Sequence, residues 1–272
     1  MKVILEMLSY PFLVRALVVG VLVSLCASLL GVSLVLKRYS MIGDGLSHVG
    51  FGALAIATAL NLAPLAVAVP VVVVAAFLLL RLSQNGKLKG DAMIAMISTA
   101  ALAVGVIALS LSNGTTGDVN NYLFGSVLAM SESDLKLSVV LAAVVLSLFA
   151  IFYRKIFSVT FDETFARATG EKVERYNALL AFLTAITVVL GMRVMGAMLI
   201  SSLIVFPGLT AMRVFKSFRK VLLCALAVSV VCFFAGLCAS FALSVPTGAS
   251  VVVANVAAFL LFSLIGKLRK TY

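Results

Sequence analysis

The chain has 272 residues, of which 63% are hydrophobic and 11% are charged, and its formal net charge is +11. Soluble domains are about half apolar and about one quarter charged, so this composition excludes an ordinary soluble domain and indicates an integral membrane protein. The basic residues cluster in short segments between apolar runs, as in cytoplasmic loops, which argues against a nucleic-acid partner. We therefore predict an all-α, polytopic bundle that forms one domain over residues 1–272 and contacts membrane lipid.

The apolar runs predict eight or nine transmembrane helices of about 20 residues each. Nine spans place every basic cluster in the cytoplasm, with the N-terminus outside and the C-terminus inside; eight result if one short run does not cross. Arg15 lies within the first run and Arg193 between the sixth and seventh, at an interface or lining a cavity. A shorter stretch, Asn120–Met130, is predicted to be re-entrant or interfacial. The runs cover about Phe12–Leu36, Met41–Leu60, Leu65–Leu80, Asp91–Leu111, Leu135–Tyr153, Tyr176–Met192, Val194–Ala211, Val221–Leu243 and Gly248–Ile265.

The second run contains the most informative pair of side chains. His48 is the only histidine of the chain and follows Asp44 by four residues. Successive helical residues are about 100° apart, so the two side chains are about 40° apart on one face. Gly52 and Ala55 continue this face without bulk, which suits either a cation path or a close helix contact. Because ionisable groups inside a membrane often mark ion paths, we predict that Asp44 and His48 bind a transition-metal ion in transit.

Metal binding at this pair needs further ligands. A carboxylate and a neutral imidazole suit zinc, manganese or ferrous iron, but two ligands alone do not hold such an ion firmly. A homodimer with this helix at its twofold axis would supply two carboxylates and two imidazoles. The spacing leaves a structural alternative open, in which Asp44 caps the start of the helix and His48 hydrogen-bonds a neighbouring carbonyl group.

The densest charge of the chain lies in a predicted cytoplasmic segment at about residues 159–175. The sequence predicts a short amphipathic helix over Phe161–Gly170, in which two phenylalanines are one turn apart and the glycine ends the helix. Such a helix suits docking into a groove of a soluble partner, and the alternative is a charged loop on the membrane surface. The residues assigned to the helix are Phe161, Asp162, Glu163, Phe165, Ala166 and Gly170.

The sequence contains no signature of ATP hydrolysis. It lacks the G-x-x-x-x-G-K-[ST] phosphate-binding loop, and the nearest string, Asn85-Gly-Lys-Leu88, has neither the leading glycine nor the hydroxyl residue. It also lacks a Ser/His/Asp set, and a single histidine excludes the H-E-x-x-H protease motif. We therefore predict that the chain is not an enzyme, has no intrinsic cofactor, and takes energy from a separate ATPase if ATP drives transport.

Four segments distributed over most of the chain carry a family resemblance. They are Leu34-Val-Leu-Lys-Arg-Tyr-Ser-Met-Ile-Gly-Asp-Gly-Leu-Ser-His48, Tyr122-Leu-Phe-Gly-Ser126, Phe161-Asp-Glu with Ala166–Gly170, and Arg193-Val-Met-Gly-Ala-Met-Leu-Ile-Ser201 with Pro207. In that order they are similar to a basic anchor with a G-D-x-L-S-H signature, a Y-L-F-G-S segment, a cytoplasmic coupling helix, and an R-V-V-G-x-L-L-V-S pattern with a later proline. Together they resemble the permease subunits of bacterial ABC transporters that import zinc, manganese or iron.

The resemblance implies a multi-pass permease of the bacterial inner (cell) membrane that exists as a homodimer or pseudo-dimer. It also implies two ATPase subunits bound at the coupling helices and an extracellular or periplasmic metal-binding protein that delivers the ion. The aspartate and histidine of the family signature, implicated in cation coordination, correspond to Asp44 and His48. The family often has an acidic residue two positions before the proline of the last loop, where this chain has Ser244 before Pro246.

Two other functions stay open from the sequence. The first is a permease for a larger metal chelate, such as a siderophore or cobalamin, which would need a wide central cavity. The second is a membrane sensor or scaffold that does not transport, in which Asp44 and His48 are structural. The identity of the metal also stays open, because tetrahedral zinc and octahedral manganese use the same two types of ligand.

Overall fold

The computed structural model of the protein describes residues 9–85, 90–112, 125 and 132–269. All regular structure in these residues is α-helical, which confirms the predicted fold class. The helices in chain order are α1 (Pro11–Leu36), α2 (Met41–Ala59), α3 (Pro64–Asn85), α4 (Gly90–Leu111), α5 (Glu132–Ile151), α6 (Tyr153–Phe161), α7 (Glu163–Ala168), α8 (Val173–Met195), α9 (Ala197–Met212), α10 (Phe218–Leu243) and α11 (Thr247–Arg269).

Two helices, α1 and α8, pack against each other and join the two halves of the bundle. α2, α3 and α4 pack together on one side, and α9, α10 and α11 pack together on the other. α1 contacts α9 and α10, while α8 contacts α3. α2 touches both halves, because it packs on α3 and α4 and also on α8 and α9. The helix that carries Asp44 and His48 therefore lies inside the bundle.

Local sequence explains where the central helices begin and end. α1 begins at Pro11, whose missing N–H is not needed in the first turn. It ends before Arg38, which has the left-handed φ of 61° that starts the turn into α2. α8 and α9 are separated by Gly196 with φ 86° and ψ 160°, a conformation that is accessible essentially only to glycine. α8 and α9 pack against each other on either side of Gly196.

The number of membrane crossings stays a prediction, although the multi-pass character is clear. In the described part of the chain, six helices are long and apolar enough to span a membrane, namely α1, α3, α4, α8, α10 and α11. A seventh crossing results if α5 and α6 count as one span, with a bend of 69° between them. α9 has only 16 residues, and the polar residues and glycines of α2 lower its hydropathy. The predicted stretch Asn120–Met130 lies outside the described residues apart from Gly125.

Two boundaries differ from those expected from the sequence. The predicted fifth span ends at Tyr153, but the helix breaks at Phe152 and continues as α6 in a new direction. The predicted sixth and seventh spans flank Arg193, whereas the break lies at Gly196. Charge marked Arg193 as a boundary, but the backbone turns where a glycine allows the required φ.

The outer surface of the bundle is apolar, as expected for helices that contact lipid tails. Large apolar side chains are well exposed along α3, α4, α10 and α11. Among them are Val74, Met96, Ile107, Leu223, Val231, Val253, Leu260 and Leu264. Because water would not solvate so much apolar surface favourably, this pattern agrees with a protein embedded in a bilayer.

Candidate metal-ion site

α2 is buried along most of its length, and Asp44 and His48 lie on its accessible face. Between Met41 and Gly50, the residues that are not buried are Met41, Asp44 and His48, at positions one turn apart. Glycines along the helix let neighbouring helices approach closely. A Cβ atom on Gly52, for example, would lie 2.7 Å from the backbone oxygen of Ala101 in α4. This resolves the two alternatives for Gly52, which makes a close helix contact.

The two predicted ligands face each other without forming a hydrogen bond. Nε2 of His48 lies 3.7 Å from Oδ1 of Asp44, which is longer than a hydrogen bond between these atoms. The side chains are 23% and 40% exposed, respectively. Nδ1 of His48 is buried and has no hydrogen-bond partner among the described residues. The imidazole and the carboxylate are therefore both available to a ligand.

The structural alternative for this pair does not fit the contacts. α2 begins at Met41, and its N-cap residue is Ser40, so Asp44 lies within the first turn and is not the cap. Nδ1 of His48 does not bond a carbonyl group of the described residues, as that alternative requires. A buried polar atom without a hydrogen-bond partner costs free energy, so such an atom calls for an explanation. The contacts thus leave Nδ1 of His48 without a hydrogen-bond partner among the described residues.

Two serines that sequence reasoning missed lie beside the pair. The hydroxyl of Ser47 lies 2.8 Å from the carbonyl oxygen of Asp44, to which it can donate, and 3.1 Å from the hydroxyl of Ser201. Ser201 belongs to α9 and lies 3.1 Å from the carbonyl oxygen of Ala197. This pair of hydroxyls joins α2 to α9 one residue from His48. Both serines occur in the segments that carry the family resemblance, but nothing in the sequence indicates that they meet.

The described part of one copy does not supply a complete metal site. The described residues contain no group of three or more His, Cys, Asp or Glu side chains close enough to hold one ion. Asp44 and His48 supply one carboxylate and one imidazole, whereas firmly bound zinc has at least three protein ligands and manganese prefers six donor atoms. Any tight site at this pair therefore requires ligands from outside the described part of this chain.

The predicted coupling segment folds as two helices that meet at Asp162. The chain leaves helical geometry there, with φ −150° and ψ 98°, and the carboxylate of Asp162 accepts a hydrogen bond of 2.9 Å from the backbone N–H of Phe165. The predicted single helix over Phe161–Gly170 is therefore wrong at its start, because Asp162 is the N-cap of α7 and Phe161 ends α6. Gly170 has φ 85° and follows the helix, so the predicted C-terminal stop is confirmed.

The same segment presents apolar side chains outwards and a charged side chain inwards. Phe161 and Phe165 are 56% and 62% exposed, while Ala166 is buried in a small separate core with Val159 and Val173. Glu163 points towards the body of the bundle, where Lys37 and Asn177 hydrogen-bond it. A surface of this kind, supported from beneath and apolar on top, suits contact with a soluble partner.

The structure describes two of three further side chains that the sequence analysis singled out. Arg15 forms an ion pair of 2.9 Å with Glu132, which joins the starts of α1 and α5. Ser244 is exposed and is the C-cap of α10, in a left-handed conformation with φ 53°. The side chain of Arg193 lies outside the described part of the structure.

Comparison with known proteins decides the family. The sequence model that defines the ABC 3 transport family matches residues 9–266 of this chain. The chain belongs to the ABC 3 transport family. It is 31% identical to the manganese transport system membrane protein MntC of Halalkalibacterium halodurans, over 91% of this chain and 85% of that protein. It is 29% identical to the high-affinity zinc uptake system membrane protein ZnuB of Haemophilus influenzae, over 93% of this chain and 97% of that protein.

A solved structure agrees with this assignment. The structure titled "PsaBC from Streptococcus pneumoniae in complex with Fab" superposes with a TM-score of 0.86 and 26% sequence identity, covering 96% of this chain and 94% of that chain. The chain is thus a multi-pass membrane subunit of a bacterial ABC transporter, and the phosphate-binding loop that its own sequence lacks belongs to a separate ATPase subunit. Membership of a transport family also removes the alternative of a sensor or scaffold that does not transport.

Proposed function

We propose that this permease moves a divalent transition-metal ion, manganese or zinc, into the cytoplasm, and that Asp44 and His48 bind the ion on its way. The single observation that carries the proposal is the accessible face of α2. There a carboxylate and an imidazole lie 3.7 Å apart and make no hydrogen bond to each other. The names of the relatives, which include a manganese and a zinc system, support an ion over a chelate as cargo.

The proposed binding site is shared by two copies of the chain. One copy offers two ligands, and a second copy related by a twofold axis beside α2 would bring the total to four. Two carboxylates and two imidazoles complete a tetrahedral zinc site or fill four of six octahedral positions around manganese. The partial exposure of Asp44 and His48 in the single chain supports this arrangement, because that face of α2 is left uncovered by its own bundle.

Energy reaches the site from separate subunits in this proposal. Two ATPase subunits bind the exposed aromatic surface of the coupling segment, which comprises Phe161, Phe165 and the residues up to Gly170. An extracellular or periplasmic metal-binding protein delivers the ion at the opposite side of the membrane. ATP binding and hydrolysis then change the relative tilt of the two permease copies, so that the site opens alternately to each side.

Equilibrium metal binding to the purified permease dimer tests the proposed site. We expect one Mn²⁺ or Zn²⁺ ion per two chains, and we expect Asp44→Ala and His48→Ala each to weaken binding by at least about tenfold, since each removes two of the four ligands. Glu174→Gln serves as the control, because this exposed carboxylate pairs with Arg167 far from α2 in the chain. Unchanged binding in both α2 variants would contradict the proposed site.

A further inference from the structure

Lys37 is a nearly buried cation at the junction of three structural elements. It follows α1 directly, and only 4% of its side chain is exposed. Its Nζ atom lies 3.2 Å from the backbone oxygen of Val159 in α6, 2.6 Å from Oε1 of Glu163 in α7, and 2.5 Å from Oδ1 of Asn177 in α8. An ammonium group has three N–H donors, and each of them has an acceptor here.

The acceptors are themselves connected. The side-chain amide of Asn177 donates to Oε1 of Glu163 over 3.1 Å, so the lysine, the glutamate and the asparagine form a closed triangle. Burial lowers the pKa of Lys37, and the hydrogen bond that Lys37 donates to Glu163 partly offsets this effect. The side chain of Glu163 is 36% exposed, but that of Lys37 is nearly buried, so losing Glu163 would leave a buried charge without its partner. The triangle therefore favours one fixed position of α7 relative to α1 and α8.

No other ion pair among the described residues joins α7 to the end of α1. Lys155 pairs with Glu171, and Arg167 pairs with Glu174. Each of those pairs joins two parts of the segment that runs from α6 to the start of α8. Among the described ion pairs, the pair between Lys37 and Glu163 joins this segment to the turn that precedes α2.

The turn from Lys37 to α2 is short and well hydrogen-bonded. The backbone N–H of Tyr39 donates to the carbonyl of Leu34 over 2.8 Å, and that of Ile42 donates to the carbonyl of Tyr39 over 3.0 Å. A cavity beside the turn is lined by Lys37 and Asn177 together with Ile42 of α2. The triangle and the first turn of α2 are thus neighbours in space.

We propose that Lys37 is a positioning residue that transmits movement of α7 to α2. When the ATPase displaces α7, Glu163 displaces the ammonium group of Lys37. The hydrogen-bonded turn then displaces the start of α2, which carries Asp44 one turn further on. This inference rests on the proposed function, because it assigns the movement to the helix that binds the ion.

The test compares metal uptake with ATP hydrolysis in proteoliposomes that contain the permease, its ATPase and its metal-binding protein. Lys37→Met keeps the length and the apolar stem of the side chain but removes the three donors. We expect ⁵⁴Mn²⁺ uptake per ATP hydrolysed to fall by about fivefold or more, while ATP hydrolysis continues and Mn²⁺ binding to the permease dimer is unchanged. Lys37→Arg restores part of the ratio, because it returns the charge and several donors.

Lys155→Met is the matched control, since it removes an exposed lysine–glutamate pair from the same region without touching α1. Its uptake per ATP is expected to equal that of the wild type. If Lys37→Met lowers the yield of the assembled complex, Glu163→Gln decides instead, because it removes the negative charge that pairs with Lys37 and keeps an oxygen acceptor. A fall in its ratio, without loss of Mn²⁺ binding, supports the proposal.

An unchanged uptake-to-ATP ratio in the assembled Lys37→Met complex, or in Glu163→Gln where that variant decides, would overturn the role of Lys37. An equal fall in Lys155→Met would also overturn it, because any weakened pair in this region would then have the same effect. Failure of the proposed function gives a different result, in which the wild-type complex takes up no metal ion although it hydrolyses ATP.

Discussion

The glycines of α2 determine how closely its neighbours approach the helix that carries Asp44 and His48. A Cβ atom at position 52 would lie 2.7 Å from the backbone oxygen of Ala101, and backbone does not move aside as a flexible side chain does. We expect Gly52→Ala to destabilise the protein by about 1–3 kcal/mol, as overpacked cores are destabilised. A lower midpoint of thermal unfolding in detergent would measure this effect.

Gly208→Ala is the matched control for that prediction. The nearest atom to a Cβ at position 208 belongs to Val32 and would lie at 3.5 Å, an ordinary van der Waals contact. Alanine is also favoured over glycine inside a helix by about 1 kcal/mol. The unfolding midpoint of Gly208→Ala should therefore equal or exceed that of the wild type. A Gly52→Ala protein as stable as Gly208→Ala would show that α2 and α4 are not in close contact.

Asp162 determines where α7 begins, through the bond that its carboxylate accepts from the N–H of Phe165. Replacing an N-cap aspartate with alanine costs about 1 kcal/mol. We expect Asp162→Ala to speed amide hydrogen exchange of α7 by about fivefold, because a loss of about 1 kcal/mol raises the population of the open helix by about that factor. Asp162→Ser keeps an oxygen acceptor and should exchange like the wild type. Equal exchange in the alanine variant would mean that the cap does not stabilise α7.

Residue-level prediction from the sequence succeeded where partners are close along the chain. The spacing of Asp44 and His48 on one helix face was sufficient to bring them together, and the structure places them 3.7 Å apart. Lys37 was interpreted only as a cytoplasmic anchor, because its partners Glu163 and Asn177 are 126 and 140 residues away. Ser201 was missed for the same reason, since it meets Ser47 across 154 residues.

At the scale of single elements, the docking of α7 depends on an ionised Glu163. Burial raises the pKa of Glu163, but hydrogen bonds from Lys37 and Asn177, together with the positive charges of Lys37 and Arg167, outweigh it. The net effect lowers its pKa below the ordinary value of 4.5. A lowered pKa means that the folded state favours the carboxylate. The resulting stability is fully present above pH 4.5 and is lost as the pH falls through the lower pKa of the folded state.

We therefore expect Glu163→Gln to unfold at a lower temperature than the wild type at pH 7 and at pH 5. The gap between their unfolding midpoints should close as the pH falls below 4.5. Thermal unfolding of both proteins in detergent across this pH range measures the gap. A gap that persists unchanged at low pH would show that the charge of Glu163 is not what stabilises the docked position of α7.

Element boundaries were the least accurate part of the sequence analysis, for identifiable physical reasons. The amphipathic pattern extended the coupling helix back to Phe161, but an aspartate that can cap the next helix ended α6 there. The bend of 69° between α5 and α6 has no glycine or proline at Phe152 to announce it. By contrast, Gly170 predicted the end of α7 correctly, because its positive φ has a simple sequence signal.

At the scale of the whole molecule, composition alone was sufficient for the fold class, since a helical bundle is the simplest way for so apolar a chain to satisfy its backbone in lipid. The completeness of the site could not be predicted in the same way. The described part of a single chain offers two ligands, and neither the hydropathy of the chain nor the spacing of Asp44 and His48 specifies what faces them. In our account, the transporting unit is a pair of permeases with their ATPases, and α2 of each copy lies at the shared axis.

The most direct test of this account is metal uptake into proteoliposomes that hold the permease, its ATPase and its metal-binding protein. Wild type, Asp44→Ala and His48→Ala are compared for Mn²⁺, Zn²⁺ and Fe²⁺, with ATP hydrolysis measured in the same vesicles. We predict uptake of Mn²⁺ or Zn²⁺ by the wild type and its loss in both variants, while the complexes remain assembled and hydrolyse ATP. Normal uptake in both variants would contradict the claim that the ion passes Asp44 and His48.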